Sequence, residues 1–181
     1  MSGNCGGKLI LMMESELGPL FLSYSTKKLE QMTGHIETCL SKLDTPLVWS
    51  RNGSHENTVG NLVLHLEGNV RQWIIHGIGG VPDVRQRDLE FSAAGGPSAV
   101  ELASCLRETV NGAMRIIGDL TAERLVERIT PQHTTVSVLE AIYQVVGHFQ
   151  QHTGQIMFAT KQLTGEGLGF YQPPAQPANP A

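Results

Sequence analysis

The chain has 181 residues, 40% of them hydrophobic, and a formal net charge of -4, which suits a single domain with a sizeable core. That balance gives no electrostatic footprint for nucleic acid or an anionic membrane, and no stretch approaches the roughly 18 apolar residues of a membrane span. Cys5, Cys39 and Cys105 form neither a disulfide framework nor a Cys-x-x-Cys pair, so reduced thiols and a cytoplasmic location are expected.

Residues 1–13 are expected to be a flexible leader, with Met12 or Met13 as a candidate true start. The run Leu9 to Met13 faintly imitates a signal peptide, but it is shorter than an apolar region of about 7–15 residues. A single domain is expected over residues 14–170. Its first helix should run from Glu16 to Leu43, with Leu20, Phe21, Tyr24, Met32, Ile36, Cys39, Leu40 and Leu43 on one face. Gly34 lies inside that helix, and Asp44-Thr45-Pro46 ends it, because the residue before a proline is pushed out of the α region.

After a turn at Ser50 to Ser54, Asn57 or Thr58 can cap a second helix with Val59, Val63, Leu66, Val70, Trp73 and Gly77 in register. Gly77-Ile78-Gly79-Gly80 and Pro82 stop it. The stretch Val84 to Gly96 reads as an ordered but irregular connection, and the span from Gly77 to Gly96 is long for a loop, a length that goes with function or flexibility. Pro97 opens a third helix, where its missing N–H costs nothing, and Ala99, Ala103, Leu106, Val110, Ala113, Ile117 and Leu120 form its seam. Thr121 caps a short turn through Arg124. A fourth helix should start after Pro131, capped by Thr134 or Thr135, and reach Leu163 along Leu139, Ile142, Val146, Phe149 and Ile156. No strand pattern of useful length is visible. The tail, residues 171–181, holds four prolines and should be disordered. The expected fold class is all-α, a four-helix bundle.

His148 and His152 are four residues apart in the fourth helix, which puts both imidazoles on one face, one turn apart. His65 stands in a similar apolar setting in the second helix, between Leu62 and Leu66. Buried imidazoles without partners are costly, so three of them aimed at one interior need a common explanation. Two readings are open from spacing alone: a metal held by three neutral nitrogens with open positions, or core histidines hydrogen-bonded to neighbouring helices. No Glu follows His148, so a His-Glu-x-x-His peptidase reading has no support.

The run Val59 to Trp73, the Gly79-Gly80 pair with the stretch Arg85 to Phe91, and the run Val145 to Gln155 together resemble the DinB-like (YfiT-like) superfamily of metal-dependent proteins. The resemblance extends from Ser15 to Tyr171 and is to a branch without established activity. One histidine on the second helix and a His-x-x-x-His on the fourth is that superfamily's metal pattern, filled here by His65, His148 and His152. It implies a down-up-up-down four-helix bundle, usually dimeric, holding a divalent ion such as nickel or zinc. It also implies a small-molecule substrate and, as in characterised relatives, transfer or isomerisation dependent on a low-molecular-weight thiol. A metal-hydroxide hydrolase and a non-catalytic, metal-stabilised dimeric binding or stress-response protein stand as alternatives.

Other polar residues have bland readings beside functional ones. Asn69 and Gln151 are the candidate catalytic residues, with Asn69 also suited to capping or bridging helices. Gln144, Gln151 and Gln155 lie one turn from the histidine pair and are candidates for orienting it. Arg71, Arg85 and Arg87 are expected to pair with Asp83, Asp88 and Glu90 on the surface rather than to bind a carboxylate. His35, His55 and His133 are expected to be solvent-exposed, and Cys39 and Cys105 to be packing residues. An apolar stripe on the second helix, Leu62, Leu66, Ile74 and Ile78, is expected to serve a symmetric homodimer.

Overall fold

The computed structural model describes residues 5–170, with side chains from residue 16 onward. In chain order it comprises α1 (Cys5–Leu40), α2 (Thr45–Val48), α3 (Val59–Val70) continuing as a π-helical segment (Arg71–His76), α4 (Arg87–Ser92), α5 (Ala99–Gly118), a 3-10 turn (Glu123–Val126), the strands β1 (Arg128–Ile129) and β2 (Val136–Ser137), and α6 (Val138–Thr164). The backbone helix of α1 begins within the segment expected as a leader. The first four residues and the proline-rich tail lie outside the described residues, and so does the expectation of disorder there.

The helix starts follow from local chemistry. Thr58, Ser98 and Ser137 cap α3, α5 and α6, and each side chain accepts from the backbone N–H three residues on while Asn61, Glu101 or Glu140 reaches back to the cap. Each such cap contributes about 1 kcal/mol. Pro97 therefore precedes the cap of α5 instead of opening the helix. The cap of α6 is Ser137 instead of Thr134 or Thr135, because β1 pairs antiparallel with β2 and holds those threonines in the hairpin. Asp44 ends the approach from α1 and accepts from the Leu47 N–H, so the Asp44-Thr45-Pro46 breaker also begins α2. Gly165 ends α6 with φ of 69°, a left-handed position that favours glycine.

The long helices close on one another as a bundle. Both α1 and α3 pack against α5 and α6, which places α1 and α3 on a diagonal. Leu29, Ile36, Leu66, Ile74, Leu106, Ile117, Ile142, Phe149 and Ile156 fill the space between them and are fully buried. The periodic faces are close to those expected, with displacements at the edges: Leu20, Tyr24 and Leu139 are exposed. Leu62, Leu66, Ile74 and Ile78, expected to offer a second apolar stripe, are all buried in the chain's own core. No described helix is long and apolar enough to cross a membrane.

The connection expected to be irregular contains α4, and this element positions the site. Asn61, in the first turn of α3, donates from Nδ2 to the carbonyls of Glu90 and Ala93 at 2.8 Å each. Its Oδ1 accepts from the backbone and hydroxyl of Thr58. One buried amide thus closes the α3 cap and pins α4 across the helix.

Candidate metal centre

Because α3 packs against α6, the middle of each helix faces the other, and His65 meets His148 and His152 there. One ligand nitrogen from each of the three lies within 4.8 Å of the others. The Nε2 atoms of His65 and His148 are 2.8 Å apart. A tetrahedral ion with bonds of 2.0–2.1 Å would hold its nitrogens about 3.3–3.4 Å apart, so small side-chain shifts separate this arrangement from that one. The three rings stand edge to face, at interplanar angles of 77° to 86°. His65 is buried, whereas His148 and His152 are half-buried and approachable from solvent.

The outer nitrogens are engaged, and this sets which nitrogens remain free. His65 Nδ1 donates to Glu90 Oε2 at 2.8 Å. A carboxylate accepts only, so the proton sits on Nδ1 and the lone pair of Nε2 faces the cluster. Glu90 is buried and is itself clasped by Arg85, whose Nε donates to Oε1 at 2.7 Å and Nη2 to Oε2 at 2.9 Å. Arg85 Nη1 donates to Gln72 Oε1 at 3.0 Å, and Nη2, besides its bond to Glu90, lies 3.1 Å from His65 Nδ1. Gly68, one turn from His65, lies against Glu90, and a Cβ there would collide with the carboxylate. His152 Nδ1 donates to Gln155 Oε1 at 2.6 Å, leaving its Nε2 to face inward as well.

Electrostatics favour neutral rings at His148 and His152. Burial, then the neighbouring His152 and His65 and the charges of Arg85 and Arg87, bring the pKa of His148 down to about 4. Burial lowers His152 too, against the raising effect of its bond to Gln155 and with a further lowering from His65. Burial alone would raise the pKa of Glu90, but the hydrogen bonds from Arg85 and His65 outweigh it and the carboxyl is lowered. Neutral rings at His148 and His152 are the form in which imidazole nitrogens bind a divalent ion.

The other expected site residues are placed as follows. Asn69 is buried one turn beyond His65, and its Oδ1 has no hydrogen-bond partner. Gln151 and Gln144 are exposed, and among the described residues neither forms a side-chain hydrogen bond; Gln155 is the glutamine that reaches the triad. The expected surface pairing of the arginines is corrected in part. Arg85 and Glu90 form a pair with side chains only 4% and 10% exposed, Arg71 pairs with Glu67, and Arg87 lies over the Phe91 ring at 5.1 Å. His35 stacks on Phe170 at 4.2 Å instead of facing solvent, Cys39 is buried, and Cys105 is exposed. The residues that sequence reasoning misjudged, Glu90 and Arg85, sat in the long connection whose length was the available signal.

An all-α bundle that gathers three histidines from two facing helices is the class of protein that fold and site define. The chain belongs to the DUF1572 family, a protein family of unknown function, whose model matches residues 16–171. Among solved structures it is similar to the crystal structure of a conserved protein of Enterococcus faecalis, at 14% identity and a TM-score of 0.66, over 80% of this chain and 97% of that one. No curated protein matches the sequence.

Proposed function

We propose that the protein is a divalent-metal-dependent enzyme of the DinB-like kind, in which His65, His148 and His152 hold the ion and a small-molecule substrate approaches from the half-exposed side. The observation that carries this reading is the hydrogen-bond chain Arg85–Glu90–His65. A buried charge pair is costly to maintain, and its use here is to lock one imidazole with its lone pair turned toward two others. Carboxylates that orient metal-bound histidines recur in metal sites for this reason. Three nitrogen donors suit zinc or nickel and leave positions for water or substrate.

Bound there, such an ion would supply Lewis acidity, or stabilise a thiolate or hydroxide at neutral pH. The chain's own groups do the rest. Glu90 and Gln155 hold His65 and His152 in the required tautomers, and Arg85 keeps Glu90 ionised. Asn69, whose buried amide oxygen lacks a partner, is the residue we assign to substrate contact; Gln151, exposed, is the weaker candidate. Transfer or isomerisation dependent on a low-molecular-weight thiol is the reaction class we favour, in a cytoplasmic setting.

The test is elemental analysis of protein purified without an affinity tag, alongside His148→Ala. About one divalent ion per chain is expected in the parent and little in the variant. Equal metal content in the two would overturn the assignment.

A further inference from the structure

The hydrogen-bond chain that ends on His65 continues beyond Arg85. Glu90 engages the guanidinium along one edge only, through Nε at 2.7 Å and Nη2 at 2.9 Å. Two parallel bonds on one edge align the fork with the carboxylate but leave the pair free to hinge about the line of the two oxygens. A third contact removes that hinge. Gln72 makes it, accepting from Nη1 through Oε1 at 3.0 Å. The Arg85 side chain is buried, so without Gln72 the Nη1 donor has little solvent to turn to.

The place of the fork bears directly on the imidazole. Arg85 Nη2 and His65 Nδ1 both approach Glu90 Oε2, and the two nitrogens are only 3.1 Å apart. A small slide of the guanidinium therefore crowds the His65 ring or draws the carboxylate off it.

The Gln72 amide is itself held with one polarity. Its Oε1 also accepts from Gln132 Nε2 at 2.7 Å, and its Nε2 donates to Asp83 Oδ2 at 2.7 Å. A reversed amide would aim its N–H groups at donors and its oxygen at a carboxylate. Asp83 Oδ1 accepts the Arg85 backbone N–H at 3.0 Å, so Asp83 holds Arg85 directly at the backbone and through Gln72 at the guanidinium. Beneath Gln72 the backbone makes a wide turn, in which the Gly77 N–H bonds to the Gln72 carbonyl at 3.1 Å. Such π turns are frequent at functional sites. The loop between β1 and β2 lies on this turn, with Pro131 so near Gly77 that a Cβ there would collide with its ring.

We propose that Gln72 is a positioning residue of the metal centre: it pins Arg85 to one place on Glu90 and so fixes the direction in which His65 presents its free nitrogen. The proposal rests on the metal reading above and extends the supporting network from α4 into the π segment of α3.

The experiment measures zinc affinity of the full chain by chelator competition, with the folding of each variant checked by circular dichroism. Gln72→Met keeps the bulk and removes the acceptor, and should bind zinc about 10-fold more weakly, at the low end for a residue that orients a ligand. In a Glu90→Gln background the same substitution should cost about 2-fold or less, because the two-point clasp through which Gln72 acts is already gone. Gln72→Glu combined with Asp83→Asn exchanges amide and carboxylate, keeps the net charge and still offers Nη1 an acceptor, and should stay within about 3-fold of the parent. Should Gln72→Met not fold, Gln72→Ala takes its place in both backgrounds. Unchanged affinity in Gln72→Met, an equal loss in both backgrounds, or a loss in the exchanged pair as large as in Gln72→Met would overturn the proposal. Zinc content of the parent and of His148→Ala is measured first. Equal content in those two would overturn the metal reading and this proposal with it, whereas a failed comparison in a parent that holds zinc through His148 overturns the role of Gln72 alone.

Discussion

The carboxylate of Glu90 lies 2.8 Å from Nδ1 of His65, and 25 residues of sequence separate the two. Their contact is what turns a connection between helices into part of the site. It joins α4 to α3 through a buried charge and fixes the direction in which His65 presents its free nitrogen.

Glu90→Gln keeps the shape and removes the charge. It should weaken zinc binding about 10- to 100-fold, the usual cost of losing such an orienting partner. It should also lower stability, by up to about 3–5 kcal/mol, because the Arg85 side chain would remain buried without its counter-charge. Competition with a chromophoric chelator and urea unfolding measure the two effects separately. Unchanged zinc affinity would show that His65 does not depend on Glu90.

The two glutamines of α6 make a matched pair of controls. Gln155 accepts from His152 at 2.6 Å, while Gln151 is exposed and without a side-chain partner among the described residues. Gln155→Ala should weaken metal binding by about 10-fold, at the low end for an orienting residue, and Gln151→Ala should leave it unchanged. The reverse order, read by the same competition assay, would place the inner nitrogen of His152 elsewhere.

In the metal-free chain, acidity should act through His148. Its pKa falls from an ordinary 6.5 to about 4 on folding, so between these values the unfolded chain binds more protons than the folded one. Stability should therefore rise with pH from about 4 to about 6.5 and be lost as pH falls through that window. His152 is shifted in the same direction. Urea midpoints at pH 5.0 and 6.5, with a chelator present, should differ in the parent and differ less in His148→Gln. The same difference in both proteins would exclude His148 as a source.

Much of this was legible in the sequence where periodicity governs. The four long helices, the Thr58 cap and the shared face of His148 and His152 all follow from spacing along one helix. What spacing cannot give is which faces of different helices meet. The stripe of Leu62, Leu66, Ile74 and Ile78 looked surplus because a wide apolar face in a sequence does not say how many neighbours it has; all four side chains are buried in the chain's own core. Glu90 looked like a surface acid because a charged side chain becomes a buried one only through partners distant in sequence. Arg85, His65 and the Asn61 anchor supply those partners after folding.

The last prediction concerns self-association. With the α3 stripe buried, a homodimer needs another surface, and α1 offers one. Leu17, Leu20 and Tyr24 recur at helical spacing and are 64%, 63% and 58% exposed. Large apolar side chains contiguous on one helix face mark a contact surface more often than isolated ones do, and a two-fold pairing is the commonest way to cover such a face. Light scattering at micromolar concentration should therefore give about twice the 19.7 kDa of one chain. Leu20→Glu should shift the mass toward that of a single chain, because a charge at the centre of the contact would have to be desolvated. Metal content should not change in that variant, since all three histidines come from the same chain. A parent mass near one chain would overturn the dimer, and a dimer unaffected by Leu20→Glu would place its interface away from α1.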